Sequence, residues 1–505
     1  MKKFLAIIIA LAVVSGAAGA LLGIGPLKKS AMKVVDKQLK ENLPCKYKLG
    51  DIKAGFPGGV ELKDLRLYDP AGGSEFLNVK SLRLTFGLGS ILHPSSPFTG
   101  IVIGGATARI SRGADGKINI IEIMSKMKKK DEQSNTPRII LQNVTVEWAD
   151  YKLGKNPPRE KFNIVSASIA SGDKGEYTLR NFKIKKGGSV LTLKGNWNET
   201  PGAKVSLRLR SEPFVLSDFI TIARSFSETR ALPEVNASGG GVFDFRIFGV
   251  RGSEQAEGEL MLSKGLLGGK KMNRALVEFS PAADGKIEIS DFDIRMDGGG
   301  RLRAGGVFSA ASPWQFEVKA TAKRFPVDAV IGIVQKQPAI TGELDADIFA
   351  KGNAKDVMTV SGEGGFELRN GEISGLKGEN EPPVPYRAIA AKLKAEKGIV
   401  GVAGGVFDSD ELLMQLEGSI GLNRTLDLSG KCEVSKDMVR KGLFKKVVSN
   451  VLPDGSVGYR FPVSIRGTFD QPDVSVKAGK LATDSVADQV RDAGNKVEKF
   501  FKKVF

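Results

Sequence analysis

The sequence has one histidine, His93, and two cysteines, Cys45 and Cys432, among 505 residues. A structural zinc site built from Cys and His needs four ligands held close together, so this composition excludes one. A Ser-His-Asp triad would have to use His93, which lies in the loop-like string LHPSSP. The two cysteines could form one long-range bridge or stay free, and we expect free thiols.

Motifs for nucleotides and for acid–base catalysis are also missing. Residues 265–271, GLLGGKK, fail the P-loop spacing, and the glycines at 398–404 miss the dinucleotide fingerprint. Aspartates and glutamates are scattered over the polar positions, so no pair of carboxylates stands out. We therefore predict no catalytic residue, no metal site and no cofactor, which means that the protein is not an enzyme.

Acidic residues are fewer than basic ones: there are 57 Asp and Glu and 75 Lys and Arg, which gives a net charge of +18. Such an excess raises the question of nucleic-acid binding. The basic residues are, however, spread along alternating segments, with runs only at 28–43, 435–453 and 486–505. No DNA- or RNA-binding motif accompanies them. We expect solvated strand faces and no nucleic-acid partner.

An uncharged run at residues 4–27 follows Met1, Lys2 and Lys3. At about 1.5 Å per residue in a helix, it is long enough to span a hydrocarbon core of ~30 Å. We predict a membrane anchor. The residues expected to face lipid are Phe4, Leu5, Ile7, Ile8, Ile9, Leu11, Leu21 and Leu22.

A cleaved signal peptide is the competing interpretation of this run, with Ala18-Gly19-Ala20 as the small-residue cleavage site. The anchor is favoured because the apolar run continues past Ala20. Both interpretations export the bulk of the chain. The five lysines from Lys28 to Lys40 argue against export, because the positive-inside rule would hold them in the cytoplasm. We give the short basic start the greater weight.

Residues 45–478 alternate between apolar and polar side chains over short runs, as in VSLRL at 205–209 and FDFRI at 243–247. A period of two predicts strands with one apolar and one solvated face. Steps such as Asp284-Gly285 and Asn370-Gly371 separate the runs and are typical of hairpin turns. The pattern predicts an antiparallel sheet of many strands.

An internal repeat of roughly 110 residues organises this region. Residues 187–220 and 298–331 align without a gap at an offset of 111. In this alignment Gly195 corresponds to Gly306, and we interpret both as turn glycines. Phe214 corresponds to Phe325, and a short helix-like stretch follows each of them. A third copy places Gly418 in the same position.

The continuous apolar face of such a sheet has to be covered. It can close on itself, as in a sandwich or barrel, or form an open groove that holds something apolar, such as lipid chains. Phe supplies 27 of the 36 aromatic residues, which favours a dry apolar lining. The predicted lining residues are Val205, Leu207, Leu209, Phe243, Phe245, Ile247, Phe316, Val318, Leu426 and Leu428.

The predicted fold class is mainly β: one N-terminal transmembrane helix, then an elongated, curled, repeat-built antiparallel sheet with an apolar-lined groove, short helices and a C-terminal amphipathic helix. Basic amphipathic helices at 435–453 and 486–505 would either lie on a membrane or pack on the end of the sheet. The segments are an anchor at 1–27, a juxtamembrane helix at 28–44, an N-terminal β module at 45–126, the repeated groove region at 138–434, a helix plus closing strands at 435–478 and the terminal amphipathic helix at 479–505.

Several short motifs, in order, resemble the AsmA-like family, the superfamily that also includes TamB and YhdP. They are GGVELKDLRL with the following Asp-Pro at 58–70, RISRGADGKINI at 109–120, the strand 139–150 that ends in aromatic-x-Asp, FELRNGEISG at 366–375 and FPVSIRGTFDQPDVSV at 461–476. Each motif is degenerate alone, and their order behind one apolar N-terminal segment is more specific. This chain is much shorter than TamB or YhdP.

The resemblance implies a single-pass inner-membrane protein of a Gram-negative bacterium, with its bulk in the periplasm. Membrane phospholipids would bind to the apolar groove or move along it toward the outer membrane. A periplasmic or outer-membrane protein partner is a further expectation. The rival hypothesis is a structural factor for outer-membrane or secretion-complex assembly, which would close its sheet on its own core and transfer no lipid.

Overall fold

The structure is a computed structural model. It describes residues 36, 40, 43, 45–55, 59–69, 73–85, 100–119, 138–154, 156–157, 159–172, 176–198, 200–220, 236–309, 314–333, 340–374, 383–410, 412–435, 458–468 and 472–476. The predicted anchor, His93 and nearly all of the basic segments at 28–43, 435–453 and 486–505 lie outside these residues. No helix in the described part is long and apolar enough to cross a membrane.

The described chain is mainly β. Its strands are β1 (Lys46–Lys48), β2 (Asp51–Gly55), β3 (Gly59–Tyr68), β4 (Glu75–Thr85), β5 (Gly100–Arg112), β6 (Arg138–Asp150), β7 (Arg159–Ser171), β8 (Glu176–Lys186), β9 (Ser189–Asn198), β10 (Lys204–Val215), β11 (Ala237–Val250), β12 (Ser253–Leu267), β13 (Lys270–Pro281), β14 (Lys286–Met296), β15 (Arg301–Ser309), β16 (Gln315–Pro326), β17 (Glu343–Asn353), β18 (Asp356–Ile373), β19 (Val384–Glu396), β20 (Ile399–Asp408), β21 (Leu412–Gly421), β22 (Thr425–Ser435), β23 (Gly458–Thr468) and β24 (Pro472–Val476). Helical structure comprises α1 (Val327–Ile331), the 3-10 turns Tyr151–Leu153 and Ala283–Gly285, and residues 216–220.

The chain divides into two compact units, residues 1–232 with 240–258 and residues 233–239 with 259–505. In the first unit, every strand from β3 to β10 pairs with the next one, while β1 and β2 both pair with β3. In the second unit, β13 to β24 pair in sequence order, all antiparallel. No pairing among the described residues joins the first strand of either unit to its last, so each sheet is open.

The expected antiparallel sheet is confirmed with one exception. β5 and β6 run parallel, with Ile101 beside Ile139. A parallel pair needs a long crossover connection, because the chain must return to the same end of the sheet before the second strand starts. Residues 113–137 provide that length. The sequence prediction of antiparallel pairing throughout was therefore wrong at this step.

The internal repeat is visible in the structure, although its glycines are not turn glycines as predicted. Gly195 and Gly306 lie inside β9 and β15, and Gly418 lies inside β21. A Cβ on any of the three would come 2.0 to 2.2 Å from a carbonyl oxygen of the paired strand. Glycine is required there because the neighbouring backbone approaches so closely.

The phenylalanines matched by the repeat also have equivalent environments. Phe214 and Phe325 are 2% and 0% exposed, and each follows a shift in strand register. Helical residues 216–220 follow the first, and α1 follows the second. The predicted short helix is thus confirmed in both of these repeats.

Each unit has its own buried core. The first is built on β2 to β9 around residues such as Leu62, Leu84 and Ile139. The second includes Ile373, Tyr386 and residues of β20 to β23. The Tyr386 hydroxyl donates a hydrogen bond of 2.5 Å to the carbonyl oxygen of Thr341, which satisfies the one polar group of this side chain inside the core.

Gly306→Ala is expected to destabilise the protein by about 1–3 kcal/mol, the usual cost of forcing extra volume into a filled site. The new Cβ would lie 2.1 Å from the carbonyl oxygen of Glu317, so the strands would have to separate. Gly401→Ala is the matched control, since its Cβ would meet the nearest atom at an ordinary 3.5 Å. Thermal unfolding of both variants tests this, and equal midpoints would contradict it.

Tyr386 predicts a loss of stability at high pH. Burial, with a smaller contribution from the charge of Asp328, raises the pKa of Tyr386 to about 12. The folded state favours the neutral phenol. The contribution of Tyr386 to the free energy of unfolding is therefore complete below the ordinary tyrosine pKa of about 10 and is lost as pH rises toward 12.

Urea unfolding at pH 8, 10 and 11.5 measures this contribution. At pH 8 we expect Tyr386→Phe to unfold at a lower urea concentration than the parent. Its free energy of unfolding should be lower by about 1 kcal/mol because the hydrogen bond is lost. The difference between the two proteins should shrink toward pH 12. A difference that stayed constant with pH would rule out the proposed ionisation.

Candidate functional site

Four of the predicted lining residues form one apolar patch on β10 and β11. Leu207 lies directly opposite Ile247, and Leu209 lies directly opposite Phe245. Directly opposite residues of an antiparallel pair point to the same side of the sheet. All four side chains are partly exposed. Val205, on the same side, is 2% exposed and lies opposite Gly249.

Aromatic rings close one end of this patch. Phe243 stacks on Phe245 with 6.1 Å between ring centroids, and Phe214 and Phe219 lie 5.9 and 5.4 Å from Phe243. Phe214 and Phe219 were not among the predicted lining residues. Phe214 was detectable, because the repeat alignment had already matched it with Phe325.

Phe316 and Val318 occupy the corresponding strand of the second unit. Phe316 lies between Phe308 of β15 and Gly352 of β17. Val318 lies in the same way between Gly306 and Ala350. Both predicted side chains are partly exposed.

The strand registers extend these patches into unbroken apolar rows. Row 1 crosses the nine strands β3 to β11 and consists of Val60, Leu84, Ile101, Ile139, Ile169, Leu179, Gly195, Leu207 and Ile247. Row 2 crosses the eleven strands β13 to β23 and consists of Val277, Phe292, Ala304, Ala320, Ile348, Gly364, Leu393, Val402, Gly418, Leu428 and Ile465. Neither row contains a polar side chain.

Burial changes along each row. In row 1, the residues from Val60 to Leu179 are at most 8% exposed, whereas Leu207 and Ile247 are partly exposed. In row 2, the residues on β13 to β21 are partly or fully exposed, with Ile348 at 40%. Each unit therefore has a packed part and an open part of the same apolar face.

Leu426 and Leu428 lie in the packed part of the second unit. Both are 4% exposed, and Leu428 lies opposite Ile465 of β23 in the same buried cluster. Cys432 shares their strand and face, is 1% exposed and carries a free thiol, as Cys45 does. The expected free thiols are confirmed. Together with Val205, three of the ten predicted lining residues are therefore buried and do not belong to the open surface.

Row 2 contains apolar residues that were not predicted, such as Ile348 and Leu393. Their signal was present in the sequence, since Leu344, Ala346 and Ile348 alternate with polar residues over ELDADIF. Short runs with several alanines are only weakly hydrophobic. Only the strand register, which a sequence does not state, shows that they lie on the same face of the sheet as Val318.

The opposite face of each sheet is polar and ion-paired. Arg208 and Asp244 form a salt bridge of 2.5 Å across β10 and β11, and the hydrogen bond from Arg208 lowers the pKa of Asp244. Burial disfavours ionisation of Asp293, but hydrogen bonds from Arg301 and Arg295 outweigh it and hold its pKa below the usual range. Basic residues such as Arg208, Arg295 and Arg301 lie on this face, where the sequence analysis expected them.

The described residues offer no metal site beside the apolar rows. Within the ranges that the structure describes, no group of three His, Cys, Asp or Glu residues could hold a metal ion. A shallow concavity of about 410 Å³ lies beside the register-matched residues Thr321, Asp347 and Gly365, which belong to the polar face. The apolar rows are therefore the strongest candidate for a functional surface.

Comparison with known proteins adds no relative: no family model matches the chain, and no curated protein matches it.

A thiol-labelling experiment separates the open from the packed part of the face. In a Cys45→Ser background, Val318→Cys is expected to react with a maleimide at least tenfold faster than Cys432. Cys432 is slow because it is buried and because burial raises its pKa to about 12, which leaves almost no thiolate at neutral pH. Denatured protein should label equally at both positions, and equal rates in the native protein would contradict the assignment.

Proposed function

We propose that the protein is a non-enzymatic, AsmA-like lipid-binding protein whose open apolar rows hold the acyl chains of membrane phospholipids. Headgroups would stay in water at the edge of the face. The observation that carries the proposal is row 2, an unbroken apolar row that is at least partly exposed on every strand from β13 to β21. A soluble protein rarely leaves such a surface uncovered.

The free energy of burying apolar groups favours the acyl chains, not the headgroups, as the part of the lipid that binds. Each buried methylene contributes about 0.8 kcal/mol, so an acyl chain gains affinity without any charged or hydrogen-bonding residue in the row. The open part of row 2, nine strands from β13 to β21 at about 4.8 Å, would be roughly 40 Å long, against ~15 Å for one leaflet of hydrocarbon. A surface of that length has room for several lipids in succession, which suits a conduit better than a site for one molecule.

The resemblance described above supplies the rest of the proposal. The chain would be anchored in the inner membrane by residues 4–27, with the sheet in the periplasm, and would conduct phospholipids toward the outer membrane. The rival proposal is an assembly factor with no lipid transfer. It is less favoured because partly exposed Phe245, Val318 and Leu393 share the faces of the rows instead of lying in closed cores.

Phospholipid that co-purifies with the full chain is the direct test. We expect mass spectrometry to detect it, and Phe245→Asp or Val318→Asp to reduce it several-fold, because a carboxylate on the apolar face beside the row would be desolvated by an acyl chain. Ser206→Asp and Lys319→Asp are the matched controls, since these exposed residues lie on the opposite face of the same or the paired strand. Recovery of a crosslinked protein partner with no lipid, in the parent and all variants, would favour the assembly factor instead.

A further inference from the structure

Exposed apolar side chains also occur where no apolar row reaches, at one end of the strands in the second unit. Trp314 is 43% exposed, Met358 53%, Ile399 54% and Leu422 37%. They lie at the start of β16 and at the hairpin turns β17–β18, β19–β20 and β21–β22. We call Trp314 and residues 354–358, 397–399 and 422–424 the turn rim.

Direct contacts make the turn rim one continuous structure. The amide of Ala354 donates to the carbonyl oxygen of Trp314 at 2.9 Å, and the Lys355 ammonium lies 5.0 Å from the centre of the Trp314 ring. The thioether of Met358 covers Gly398, leaving no room for a Cβ there. The amide of Leu422 in turn donates to the carbonyl oxygen of Gly398 at 2.8 Å.

Ile399 lies on the opposite face of the sheet from row 2. It pairs with Gly421, while the next residue, Val400, pairs with Ile420 on the side of the row. Successive residues of a strand point to opposite faces. Ile399 therefore points away from the row, so the row cannot account for its exposure.

Basic residues accompany the exposed apolar tips. Each of the three rim turns carries one basic residue, Lys355, Lys397 or Arg424, against the two acids Asp356 and Glu396 beside them. At the other end of the strands, acids of the described connections are ion-paired: Asp328 with Lys270, and Asp408 and Asp410 with Arg387.

We propose that the turn rim docks on the surface of an anionic phospholipid bilayer. Tryptophan together with lysine or arginine is the composition that proteins place at the headgroup level of a membrane. The apolar tips lie on alternate strands, roughly 10 Å apart. That spacing suits separate insertion between headgroups better than one flat protein contact.

The test places an environment-sensitive fluorophore on the rim of the full chain reconstituted into vesicles. Ile399→Cys in a Cys45→Ser background carries the label, and Asp410→Cys at the other end of the strands is the matched control, with its side chain 79% exposed. We expect brominated acyl chains to quench the label at 399 at least threefold more than the label at 410. The difference should be larger in phosphatidylcholine vesicles containing phosphatidylglycerol than in phosphatidylcholine alone.

With the label moved to Leu422→Cys, an Ile399→Ser substitution should reduce the quenching several-fold while leaving co-purified phospholipid unchanged. That pair of readouts separates rim docking from lipid binding in the rows, because Ile399 points away from row 2. Equal quenching at 399 and 410 would overturn the proposal. So would a label at 399 that is already shielded without lipid and a doubled mass in solution, which would assign the rim to contact between two copies of the chain. Leu422→Cys provides a second labelling position on the same rim.

Discussion

Strand register is the constraint on which the other features depend. An apolar row across nine or eleven strands exists only if every strand presents the same phase of its two-residue alternation. A slip of one residue in a single pair would turn all side chains of that strand to the other face. The row would then be interrupted by charged residues such as Lys319 or Arg208, and the apolar residues would meet water. The sequence pattern is thus meaningful only together with the pairing.

The structure preserves this phase even where the strands are irregular. β16 and β17 shift register between Ala322 and Phe325, and β10 and β11 shift between Ser211 and Phe214. In both places the shift comes after the residues of the row and ahead of a helical segment, and the phenylalanine beyond it is buried. The irregularity therefore ends the open part of the face without disturbing the alternation that precedes it. Its occurrence at equivalent positions of two repeats shows that it belongs to the repeated unit.

Much of this fold was predictable from the sequence, because alternation and turn residues are local. Phe245 and Val318 were placed on apolar faces from their neighbours alone, and the short helix after Phe325 followed from the repeat. The same local signals were misleading for Gly195 and Gly306. A glycine between two alternating runs is typical of a hairpin turn, and only the approach of the next strand shows that it is a strand glycine. The parallel pair β5–β6 depends on where a long connection returns, which no local pattern records.

Exposure was the least predictable property. Leu428 and Leu207 stand in equally alternating sequences on strands that are paired on both sides, yet Leu428 belongs to a buried cluster and Leu207 is partly open. Sequence reasoning identified which side of a strand is apolar, whereas the structure distinguishes the covered from the uncovered parts of that side. The exposed tips of the turn rim were missed because a lone Trp or Met in a polar turn carries no periodic signal.

The open ladder of the second unit has a consequence for how such a protein varies in length. In the described part of the chain, the strands from β14 to β23 each pair with the strands before and after them in the sequence. Removing or adding one hairpin would change the reach of the sheet by about 10 Å and leave every other register intact. A closed barrel has no such freedom, because its strand number and stagger are linked. Length is therefore a property that insertion or loss of whole hairpins could adjust without redesigning the surface.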